Sequence, residues 1–314
     1  LKKYLPLLIV IFIFFSVNPI YSQNDAEAEL IEQIESSYQS DEPTWLLMER
    51  GKQAYDIGEY GLASRVFREV LNREKVYPDA EVWLAYIFEE EGEYLLAEKQ
   101  YIRALENSSE LYIIEDEITI LYKLAEIYRK TDQWGLYENT LLSILDKDES
   151  GGVLKLQYSM LDALKDYGVD KMFELYRYEN TKFGRARIEL GIFYYQTGRY
   201  TESQINLILP IISEATTGFN YIFNRTADYD YYNFDLHIDN MLRYNTLSEF
   251  LTANVFFKAV YYLAASLYAD GYSDTADSLW RIVYKYDESG STWKIRSARQ
   301  LRSPFIEPII SHRT

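Results

Sequence analysis

The densest run of side chains able to do chemistry is Thr226-Ala227-Asp228-Tyr229-Asp230-Tyr231-Tyr232-Asn233-Phe234-Asp235-Leu236-His237. Asp228, Asp230, Asp235 and the nearby Asp239 are hard oxygen ligands of the kind Ca²⁺ takes. Their spacing fits no calcium loop, and the turn glycine of an EF-hand is missing, so no metal is assigned; the run reads as a solvated acidic loop packing its Tyr and Phe on the helices, with a partner-contact loop as the alternative. His237 and His312 are the 2 histidines of the chain, too few for most histidine-based metal or acid–base sites. Glu89-Glu90-Glu91 and Glu115-Asp116-Glu117 supply carboxylates. Acidic runs at helix ends are ordinarily solvated faces or favourable N-terminal charges. There is no glycine-rich phosphate loop, no His-x-x-x-His pair and no Gly-x-Ser-x-Gly elbow. With 0 cysteines, thiolate zinc, Fe–S clusters, disulfides and cysteine nucleophiles are excluded. No catalytic residue and no cofactor is assigned, and a non-catalytic protein is expected.

The elements that would position such groups belong to a folding composition: 314 residues, 48% hydrophobic and 26% charged. Lys and Arg total 32 against 49 Asp and Glu, a formal charge of −17. Nucleic-acid binding rests on a basic surface that replaces counterions, so no nucleic-acid partner is expected. Lys2 and Lys3 precede the apolar stretch Leu5 to Phe15, and the turn-forming Ser16-Val17-Asn18-Pro19 leads to Ile20-Tyr21-Ser22-Gln23. This three-part layout is that of a secretory signal peptide, with cleavage expected between Ser22 and Gln23. The expected location is the periplasm or cell envelope, with no transmembrane segment in the mature chain. Retention of the segment as an anchor is the alternative.

Shifting the chain by 34 positions superposes Gly58 on Gly92, Tyr60 on Tyr94, Ala63 on Ala97, Phe67 on Tyr101 and Val70 on Ala104. Leu124, Ala125, Tyr128, Trp134 and Ile144 fall in the same frame. So do Leu190, Gly191, Tyr194, Gly198, Tyr200 and Leu207, and then Leu263, Ala264, Leu267, Gly271, Ala276, Trp280 and Val283. Apolar residues at i, i+3, i+4 and i+7 put one apolar face on each helix. The small residues let paired helices approach, and Gly58, Gly92, Gly198 and Gly271 at the turns, with Asp132 at the third, permit a left-handed cap. One such hairpin cannot bury its own face, so several must stack.

On these residues the chain resembles the tetratricopeptide repeat, a 34-residue helix–turn–helix unit. The resemblance covers about 44–288 and implies an all-α, right-handed superhelical solenoid of about six units, some degenerate. It also implies that the first helix of each hairpin lines an inner, concave surface. The inner positions would be Trp45, Met48, Lys52 and Tyr55, then Val82, Tyr86 and Glu89, then Tyr122, Glu126 and Arg129. Later units would add Arg185, Ile188, Ile192 and Tyr195, then Lys258, Tyr261 and Tyr268. The family's clamp for C-terminal carboxylates needs Lys, Asn and Arg where this chain has Met48, Lys52, Val82, Tyr86, Tyr122 and Glu126, so that clamp is not expected.

The layout expected is a leader over 1–22, a linker and short helix over 23–43, and three repeats over 44–150. A degenerate repeat over 151–183 and a further repeat over 184–216 follow. Pro210 is expected to kink or restart its helix. An aromatic and acidic insertion, or a badly degenerate repeat with a loop, spans 217–252, a last repeat 253–288, and a solvating capping helix with an extended tail 289–314. The expected function is that of an envelope scaffold or adaptor holding a protein or peptide partner along a tyrosine-rich groove, built on Trp45, Lys52, Tyr55, Tyr86, Tyr122, Arg129, Arg185, Tyr195, Tyr261 and Tyr268. The alternative is a periplasmic small-ligand or transporter-accessory protein.

Overall fold

The computed structural model describes residues 28–36, 42–113, 116–148, 153–180, 182–226 and 229–307. The leader and its Ser22–Gln23 junction lie outside the described residues, as do Ala227, Asp228 and 308–314. Among the described residues every regular element is helical, as the repeat pattern requires. The chain divides after Asp132 into two compact units, within what the sequence reads as the third repeat.

The first unit holds α1 (28–36), α2 (Thr44–Asp56), α3 (Tyr60–Arg73), α4 (Pro78–Glu90), α5 (Tyr94–Glu106) and α6 (Asp116–Lys130). The pairs α2–α3 and α4–α5 form hairpins that pack in chain order, with α6 against α5. The reason is local. Leu47, Met48, Gly51 and Ala54 bury one face of α2, and Leu62, Ala63, Val66, Phe67 and Val70 one face of α3. A Cβ at Gly51 would sit 2.5 Å from the Phe67 ring, so the two helices meet at a distance that only glycine allows. Gly58 turns the chain at φ 82°. Its N–H donates to the Tyr55 carbonyl and that of Glu59 to the Ala54 carbonyl, both at 2.9 Å, a Schellman cap.

The second unit holds α7 (Trp134–Leu145), α8 (Val153–Leu175), α9 (Gly184–Gln196), α10 (Tyr200–Phe223), α11 (Phe234–Leu242), α12 (Asn245–Ala253), α13 (Phe256–Ala269), α14 (Ser273–Tyr286) and α15 (Thr292–Arg302). The pairs α9–α10 and α13–α14 repeat the hairpin, and α15 lies on α14 and α13. At Gly191 a Cβ would meet Leu207 at 2.5 Å, the counterpart of Gly51 against Phe67.

Three readings are refined here. Helix α10 does not restart at Pro210, which lies buried inside a single helix from Tyr200 to Phe223. Leu207, Ile208, Leu209, Ile211 and Ile212 around it are all buried, and their packing outweighs one missing hydrogen bond. The 217–252 region is mostly helical: the end of α10, then α11 and α12, whose Phe234, Ile238, Met241, Leu247 and Leu251 join the core. Helix α15 is more than a solvating cap, because Ser297 and Gln300 are buried. The degenerate 151–183 region is α8, broken at Gly168 (φ 81°, ψ 175°), with Leu161 and Leu164 buried before the break and Met172 and Phe173 after it.

Candidate functional site

In the first unit α2, α4 and α5 carry a ladder of rings. Tyr55 stands edge-on to Trp83 with ring centres 5.2 Å apart, and Trp83 edge-on to Tyr86 at 5.5 Å. Tyr86 meets the buried Tyr101 at 5.9 Å. Lys52 lies 6.0 Å from the Trp83 ring and pairs with Glu49. Lys123, one position after the half-buried Tyr122, lies 5.2 Å from the Tyr86 ring and pairs with Glu89 at 3.0 Å. Burial and the nearby charge of Glu90 push the Tyr55 hydroxyl up to about 12. Trp45 projects from the start of α2 with 63% of its surface exposed, and Arg129 is exposed near the end of α6. Trp83 is absent from the inner positions that the repeat supplies. Its place three residues before Tyr86, on the same face of α4, was the available signal.

The second unit treats the same repeat positions differently. Arg185 is exposed at the start of α9 and pairs with Glu189 at 2.8 Å, whereas Tyr195 and Tyr261 are buried and Tyr268 is half-buried. What covers them is the chain's own extended segment, residues 303–307, which leaves α15 and returns across α13 and α9. The Tyr268 hydroxyl donates to the Pro304 carbonyl at 3.3 Å. The Gln300 amide donates to the Phe305 carbonyl at 3.2 Å and accepts from the Phe305 N–H at 2.9 Å, the two bonds a neighbouring strand would make. The Glu307 N–H donates to the Tyr195 hydroxyl at 3.3 Å. The Glu307 carboxylate accepts from the Tyr261 hydroxyl at 2.6 Å and from Nε of Arg296 at 3.1 Å, and forms a second bond with Nη2 of Arg296. The guanidinium is itself set 4.6 Å from the Tyr261 ring and 5.0 Å from that of Trp293. Arg296, Gln300 and the 303–307 segment were not among the residues anticipated for the groove.

The run around His237 is mostly structural. His237 is 1% exposed, with Nε2 2.9 Å from the Ala215 carbonyl and Nδ1 2.7 Å from the Tyr229 hydroxyl. A carbonyl only accepts, so Nε2 carries the proton and Nδ1 accepts from Tyr229. Burial lowers its pKa to about 4, and the ring is neutral. Asp235 pairs with Lys285 and Asp239 with Arg243. Among the described residues no three His, Cys, Asp or Glu side chains are grouped to hold a metal ion.

No family model matches the chain. It is similar to an uncharacterized protein of Borreliella burgdorferi, 23% identical over 299 residues, covering 85% of this chain and 92% of that protein. It is also similar to an uncharacterized protein of Treponema pallidum, 33% identical over 128 residues, covering 38% of this chain and 34% of that protein. Among solved structures, the C-terminal part of a TPR repeat-containing protein from Cytophaga hutchinsonii is 15% identical, with a TM-score of 0.28, over 80% of this chain and 98% of that one.

Proposed function

We propose that this chain is a non-catalytic, tetratricopeptide-like binding protein of the cell envelope that holds an extended polypeptide segment along its inner helices. The observation that carries the reading is the 303–307 segment. Its backbone is bonded by Gln300, Tyr268 and Tyr195, and its carboxylate by Arg296 and Tyr261. A surface that grips backbone amides and one acidic side chain suits an extended acidic peptide, and the chain's own segment is its first occupant. The envelope location rests on the leader-like residues 2–22 alone. An intact mass beginning at Gln23 in exported protein is the result expected of it.

A cis segment competes at a high effective concentration, so a free peptide meets an occupied site. The test uses full-length protein carrying Glu307→Ala and a fluorescent peptide Ser-Pro-Phe-Ile-Glu. The variant should bind it at least about tenfold more tightly than wild type, one charge-assisted bond's worth. Adding Arg296→Ala should abolish binding. A folded Glu307→Ala protein that takes no peptide would remove the reading.

A further inference from the structure

Beyond the covered tyrosines, toward the N-terminal ends of α9 and α13, lies a cavity of about 390 Å³ lined by Arg185, Ile188, Glu189, Glu214, Ala253, Asn254, Val255 and Lys258. Arg185 and Ile188 precede Tyr195 on α9 by two to three helical turns, and Lys258 precedes Tyr261 on α13 by one. The cavity therefore shares the inner face but not the residues that grip 303–307.

Two features set it apart from an ordinary surface dent. Glu214 comes from α10 and is 3% exposed, and its Oε2 has no hydrogen-bond partner. Burial alone, with no compensating charge, holds its carboxyl well above the usual carboxylate range. Leaving a buried acceptor unbonded is costly, and such groups gather where a ligand completes the bonding. The second feature is Val255, a β-branched residue held at φ 54°, ψ 36° where α12 and α13 meet at a 55° bend. Left-handed backbone at valine is strained, and such strain collects at ligand clamps. Here it places the α12–α13 junction in the cavity wall.

The lining divides by charge. Glu214 offers an acceptor at the buried end. Arg185 and Lys258 bring positive charge, Arg185 shared with Glu189 and Lys258 lying 5.7 Å from the Trp293 ring. Ile188, Ala253 and Val255 are apolar, and the volume lies at the small end of ligand pockets. We propose that this cavity binds a small zwitterion, a free α-amino acid, with its ammonium group on the Glu214 carboxyl and its carboxylate toward Lys258 and Arg185. The site is independent of the peptide reading and stands if that reading fails.

The test is a thermal-shift and calorimetric screen of full-length protein against the natural amino acids, each beside its N-acetyl and its carboxamide derivative. At least one free amino acid should raise Tm. Both of its blocked derivatives should bind at least about tenfold more weakly, since each loses one charge-assisted contact. Glu214→Gln keeps the shape of the side chain but cannot ionise against the ammonium group, so it should weaken the parent by a similar factor, and Lys258→Gln by less. Because Glu214→Gln could unfold the protein, the blocked derivatives decide the matter on wild type alone. No binding by any amino acid, equal binding of the N-acetyl form, or unchanged binding by folded Glu214→Gln would each overturn the proposal. So would binding seen only with a lysine-containing peptide.

Discussion

The two units carry the same residue type at the same repeat positions and use it in opposite ways. In the first, Tyr55 and Tyr86 join Trp83 in a partly open ladder edged by Lys52 and Lys123. In the second, Tyr195 and Tyr261 lie under residues 303–307 and spend their hydroxyls on them. The interiors differ in the same sense. Among the described residues, the buried polar and charged side chains run from Gln157 through Ser203, Gln204, Glu214 and His237 to Gln300, all in the second unit. A repeat position thus fixes which way a side chain points. Whether it meets solvent, a partner or its own chain is decided by what else packs there.

The largest effect that would sharpen the contrast is on pH dependence. His237 has a folded pKa of about 4 against an ordinary 6.5, so on acidification the unfolded chain takes the proton first. Stability is therefore intact above the ordinary value and lost as pH falls toward the folded one, by up to about 3 kcal/mol. Urea unfolding of wild type and His237→Phe across this range should show a flatter acid limb in the variant. Glu214 has the opposite sign. Its folded pKa is raised, so its contribution is full below the ordinary 4.5 and is lost as pH rises through the raised value. Glu214→Gln should flatten that side. Matching profiles for wild type and both variants would erase the difference in polarity between the two interiors.

Next in size is Arg296→Ala, which strips Glu307 of its cation and three rings of their guanidinium. The pair is only partly exposed, so the loss should be about 2–3 kcal/mol, below that of a fully buried pair. Limited proteolysis should then cut within 303–307 faster than in wild type. An unchanged cleavage rate would mean that the segment is not held as described.

Tight hairpins are what the two units share, and overpacking should cost both alike. Ala97→Leu on α5 and Gly191→Ala on α9 should each lose about 1–3 kcal/mol, read by thermal unfolding. Ala28→Leu on the exposed side of α1 should stay within about 0.5 kcal/mol. Equal shifts for Ala97→Leu and Ala28→Leu would break the repeat register. The smallest effect expected is for Lys123→Ala, which removes a half-exposed pair with Glu89 and should cost under about 1 kcal/mol. A loss as large as that of Arg296→Ala would show that the open face of the first unit is as tightly built as the covered one.

Much of the fold was legible because its determinants are close in sequence. Gly58 with Tyr60, Ala63 and Phe67, and Gly198 with Tyr200 and Leu207, each describe a turn and the helix that follows, within about three helical turns. Pro210 does not restart its helix, for the converse reason. Its local cost is fixed, but the apolar residues packed around it are supplied by the rest of the unit. The site was legible only as a set of positions. Tyr195, Tyr261 and Tyr268 were found, while Arg296 and Gln300 sat in a helix whose pattern reads as solvating, and Trp83 fell one place off the repeat's inner positions.

The sequence by itself determined the helical period, the turns, the small residues at helix crossings and the helices that present tyrosine, since each depends on neighbours within a hairpin. Only the tertiary structure decided which of those tyrosines are free to meet a partner. Glu307 reaches Tyr195 across 112 positions and Tyr261 across 46. No periodicity encodes contacts of that range, because they form only after the helices have stacked and left a groove for the returning chain.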